Sequence, residues 1–134
     1  MRFLFLPTLL LAATFSTADL DAHRKWMDDA QDKKDDIRAA LDAKDIPALQ
    51  TATKALEELT AREQAFWART SLKQAQEIAA KNRNEARELV QAAKAARVED
   101  SAKVFASVEK TCSSCHDLHF EKHPSMAPSD APKK

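Results

Sequence analysis

The chain has 134 residues, which is room for one domain, and 44% of them are apolar and 31% charged. Basic and acidic side chains balance at 21 each, so there is no electrostatic case for nucleic acid or for an anionic membrane surface. The chain has no glycine and no tyrosine and is rich in Ala, Lys, Glu, Asp and Gln, a composition that favours helix and leaves few ways to build hairpins; the expected class is all-α.

Residues 1–18 read as a secretory signal peptide. Arg2 supplies the positive start, residues 3–13 an apolar run interrupted only by Pro7 and Thr8, and Ser16-Thr17-Ala18 the small residues that signal peptidase reads. The run falls short of the about 20 residues a membrane-spanning helix needs, so stable membrane insertion is not expected. Export to the periplasm is.

Four helices follow in chain order. The first covers residues 19–43, capped by Asp19 or Asp21, with Leu20, Met27, Ala30, Ile37 and Leu41 at helical spacing and a solvated acidic face between them. Lys44-Asp45-Ile46-Pro47 breaks it. Asp45 is a good N-cap, and Pro47 suits the first turn of a second helix over residues 46–67. Leu49, Ala52, Leu56, Leu59, Glu63 and Phe66 form its stripe, with Glu63 the polar interruption. Ser71 with Gln74 reads as a capping box for a third helix reaching about residue 97, striped by Leu72, Ala75, Ala79, Ala86, Leu89, Ala93 and Ala96. Asp100 or Ser101 caps a fourth, whose Ala102, Phe105, Val108 and Cys112 recur at three- or four-residue steps. Residues 121–134, with three prolines, read as a disordered tail. Short connections between four helices imply an antiparallel, up-down-up-down four-helix bundle over residues 19–120.

Near the end of the fourth helix stand Cys112-Ser113-Ser114-Cys115-His116, with the only two cysteines of the chain. A CxxC followed directly by histidine is the spacing of c-type haem attachment. Two thiols add across the two haem vinyl groups, giving two thioether bonds. Side chains three and four apart share a helix face, so Cys112, Cys115 and His116 can address one macrocycle, with His116 as the proximal iron ligand. Three other uses fit the same residues. One is a redox dithiol, which usually sits beside a βαβ pattern that this chain lacks. Another is a zinc site completed by two of His116, His119 and His123. The last is a plain disulfide.

A signal peptide, four helices and a CxxCH on the last of them resemble the class II c-type cytochromes, the cytochrome c-prime group. Class I cytochromes instead carry CxxCH near the N-terminus and a Met ligand well downstream. The resemblance implies one haem c, covalently held in a bundle interior, and attachment by the haem-maturation machinery outside the bacterial inner membrane. It implies a periplasmic, non-enzymatic electron carrier working with redox partner proteins. The family's sixth ligand comes from the first helix: Met27 stands where a low-spin member carries its Met, and Met/His ligation raises the potential. The residue by itself reads equally as core. High-spin members leave the iron five-coordinate and bind small gases, which is the rival reading. His23, one turn before Met27, is either a solvated group at a helix start or a competing ligand. Arg24 and Lys25 are candidates for the haem propionates. Family members often carry a basic residue inside the CxxCH and Tyr-Arg after it; here the interior is Ser-Ser and the sequel Asp117-Leu118-His119-Phe120. Relatives often pair through their first two helices, so monomer and homodimer both stay open. A haem-free secreted helical protein with a disulfide is the third reading.

Overall fold

A computed structural model of the protein describes residues 15–119. Residues 1–14 of the expected signal segment and the whole expected tail lie outside the described residues, as do Phe120 and the side chains of Leu118 and His119. The described chain forms four α-helices, α1 (Thr17–Ala43), α2 (Ile46–Ala68), α3 (Lys73–Lys94) and α4 (Val98–His119), and no strand. They make a four-helix bundle.

The helix ends follow from short-range hydrogen bonding, and several differ from the expected ones. The cap of α1 is Ser16 rather than Asp19 or Asp21. Its hydroxyl accepts from the Asp19 amide at 3.1 Å, while the Asp19 carboxylate accepts from the Ser16 amide at 3.0 Å, a reciprocal box that starts the helix at Thr17. Asp45 caps α2 as expected, accepting from the Ala48 amide at 3.1 Å, with Pro47 in the first turn. The Ser71–Gln74 box does not form. Leu72 stands at the N-cap of α3 without a side-chain cap bond. Instead Gln76 reaches back to the Trp67 and Thr70 carbonyls, and Thr70 Oγ1 accepts from the Leu72 amide. α4 starts at Val98, so Asp100 and Ser101 lie inside it; Ser101 is buried with its hydroxyl on the Arg97 carbonyl. Without glycine, the two left-handed positions that close α1 and follow α3 fall to Lys44 (φ 52°) and Ala96 (φ 55°). That geometry takes Ala96 off the expected stripe and leaves it exposed.

The core has two apolar clusters. One joins all four helices through Ile37, Leu49, Leu56, Leu89, Phe105 and Val108, with Cys112 packed against it. The other gathers Phe66, Trp67, Ala75 and Ala79, flanked by Phe15, Leu20 and Trp26. The alanines of α3 let it approach α2 closely, and Gln50 of α2 donates to the Ala93 carbonyl across that seam. α1 and α4 approach each other far less closely than the other neighbouring pairs, and are linked by Arg38, which ion-pairs with Glu109 and lies over the Phe105 ring.

Candidate functional site

Cys112, Cys115 and His116 occupy the last two turns of α4. All three are partly buried, whereas Ser113, Ser114 and Asp117 between and after them are exposed. Helical spacing therefore turns the three reactive side chains inward together. Both thiols are free. Burial pushes the Cys112 thiol above its ordinary range and raises Cys115 to about 12, with the Glu63 carboxylate and Cys112 adding to the rise at Cys115. The Cys112 thiol lies 3.8 Å from Asn82 Oδ1. Burial also lowers His116 to about 4, and the Lys34 ammonium deepens the drop. His116 is thus neutral near pH 7, the form that binds a metal.

The groups facing the motif come from α1 and α2. Lys34 acts electrostatically on both Cys112 and His116, Glu63 on both thiols, and His23 on His116. His23 is 1% exposed. Its Nε2 is 3.0 Å from Glu63 Oε2, which also accepts from Trp67 Nε1 at 3.2 Å. The His23 ring lies 4.3 Å from the Phe66 ring and meets Trp67 edge-on at 5.7 Å. Its Nδ1 is buried without a hydrogen-bond partner, as is Glu63 Oε1. The solvated reading of His23 is thereby overturned: Leu20, His23, Met27 and Ala30 share one line of α1 at three- and four-residue steps, so packing that line carries His23 inside.

Met27 is half-buried and is not among the side chains packed against either apolar cluster. Arg24 is ion-paired with Asp21 at 3.3 Å and Lys25 with Asp29 at 2.9 Å. Lys34 escaped the sequence reading, although its place seven residues after Met27, about two helical turns on, was the available signal.

A haem bonded at these thiols needs two cysteines and a neutral imidazole on one face, and a seam loose enough to admit a flat ring. The α4 face, the lowered His116 and the sparse α1–α4 seam meet those needs, and the unpartnered Nδ1 of His23 is a buried polar atom still lacking a bond. The residues fit the group. Three metal-ligating side chains do not converge anywhere among the described residues. Two surface grooves among the described residues, about 700 Å3 between α3 and α4 and about 300 Å3 between α1 and α2, are lined mostly by charged side chains and do not include the motif. No helix among the described residues is long and apolar enough to cross a membrane. Comparison with protein-family models, curated proteins and solved structures gives no match.

Proposed function

We propose that the protein is a periplasmic monohaem c-type cytochrome that carries single electrons between redox partners. The observation that carries this reading is the shared inward face of Cys112, Cys115 and His116 on α4, with exposed residues on either side of it. When bound, the haem supplies a one-electron iron couple. Cys112 and Cys115 hold it through two thioethers. His116, neutral near pH 7, would ligate the iron. His23 and Met27 of α1 would be the candidates for the remaining iron position, and Lys34, whose charge acts on Cys112 and His116, the candidate for a propionate. The apolar cluster against which Cys112 packs would limit water at the iron, which favours electron transfer over chemistry there.

An antiparallel, up-down-up-down order belongs to the same reading. It is supported by cross-links that join helix starts to helix ends: Asp19 to Arg69 and Gln50 to Ala93. The likeness to class II cytochromes rests on that order and on the position of CxxCH. The expected cleavage after Ala18 would remove Phe15 and Ser16 and leave Asp19 at the new N-terminus.

A pyridine haemochrome assay on protein exported from cells that mature c-type cytochromes tests the function. A spectrum with both vinyl groups saturated, at one haem per chain, is expected. Protein without covalent haem contradicts the reading and favours a helical protein with a dithiol or disulfide.

A further inference from the structure

Buried polar atoms are almost always bonded, so an unpartnered ring nitrogen in a core is a reason to look for the group it serves. His23 Nδ1 is such an atom. The rest of the ring is fully committed: Nε2 faces Glu63 Oε2 at 3.0 Å, and the ring packs on Phe66 and Trp67. Trp67 Nε1 holds the same carboxylate oxygen from the other side at 3.2 Å. A carboxylate on one imidazole nitrogen fixes the proton there, sets the ring's orientation and leaves the other nitrogen's lone pair free for a metal; this is the usual outer support of a ligating histidine. The pair also lies near the candidate attachment site, since His23 acts on His116 and Glu63 acts on both thiols.

We infer that His23, oriented by Glu63 and Trp67, is the sixth ligand of the haem iron through Nδ1, and that Met27 is not a ligand. The inference rests on the proposed cytochrome function and refines it. The Nδ1 lone pair forms the bond, and the proton stays on Nε2, held by Glu63. Met27 has no comparable support: it is half-buried on α1 and is not among the side chains packed against either cluster. Glu63 is a positioning residue, because it reaches the iron only through His23. Its negative charge makes the imidazole a stronger donor and favours the ferric state.

Optical and electron paramagnetic resonance spectra of the ferric holoprotein test this. The wild type is expected to be low-spin and to lack the far-red sulfur-to-iron band, and Met27→Leu is expected to leave the spectrum unchanged. His23→Gly is expected to turn high-spin and to return to low-spin on adding imidazole while its helical circular dichroism spectrum stays that of wild type, which separates loss of the ligand from a folding defect. Glu63→Gln is expected to stay low-spin with a raised reduction potential. A far-red sulfur band that Met27→Leu abolishes overturns the inference while leaving the cytochrome function intact. So does a high-spin wild type, which would support the gas-binding reading. Protein without covalent haem overturns the function itself and the inference with it.

Discussion

His23 and Glu63 lie forty positions apart in the chain and 3.0 Å apart in the bundle. Each is the polar interruption of an otherwise apolar helical line, and each answers the other. Trp67, one turn beyond Glu63, completes the cluster from the same helix. Removing the carboxylate strands two buried donors at once. Glu63→Ala should cost about 1–3 kcal/mol, the usual penalty for leaving buried polar groups without partners. Glu63→Gln, which keeps an acceptor oxygen, should cost less. Urea denaturation of the two variants against wild type measures the difference.

The thiols give a second prediction. Burial keeps Cys112 and Cys115 protonated, with Cys115 raised to about 12, and only a thiolate alkylates readily. Haem-free protein made without its export segment should react slowly with iodoacetamide at pH 8 while folded, and fast in denaturant. Equal rates in both conditions would show that the motif does not face inward.

Acid behaviour follows from Asp19. Hydrogen bonds from Arg69 and Ser16 lower its carboxyl from 3.8 to about 2. A carboxyl lowered on folding stabilises the protein fully above its unfolded value and loses that contribution as pH falls through the folded value. In protein whose cleavage is blocked, so that Ser16 stays in place, Asp19→Asn should therefore be less stable than wild type at pH 7, and the gap should close between about pH 4 and pH 2. Thermal melts across that range, monitored by circular dichroism, test the sign.

A fourth prediction comes from the absence of glycine. Lys44 and Ala96 sit in the left-handed region, which costs a residue with a Cβ roughly 1–2 kcal/mol. Glycine relieves that cost but loosens the unfolded chain. Lys44→Gly and Ala96→Gly should each raise stability by up to about 1 kcal/mol, seen as a higher melting temperature.

Much of this was legible in the sequence. The helices and their breaks follow from the period of Leu49, Leu56 and Phe66 and from Asp45-Ile46-Pro47, because propensity and capping are local. The grouping of Cys112, Cys115 and His116 follows from helical geometry alone. The Ser71–Gln74 box failed because Gln76 and Thr70 offered a competing set of bonds at the same turn. The sequence left His23 as either a solvated group at a helix start or a competing ligand. Glu63 stood out as the polar interruption of α2, but that His23 faces it depends on the register between helices, and no single helix encodes that. Lys34 was hidden for the same reason: its field on Cys112 and His116 is set by how α1 lies along α4.

The most direct test of the central claim is the intact mass of the protein recovered from the periplasm of cells that mature c-type cytochromes. A chain heavier by one haem, with no alkylatable thiol after denaturation and with the added mass lost in a Cys112→Ala, Cys115→Ala double variant, is the predicted result. A chain at its bare polypeptide mass, with two alkylatable thiols or one internal disulfide, would contradict it.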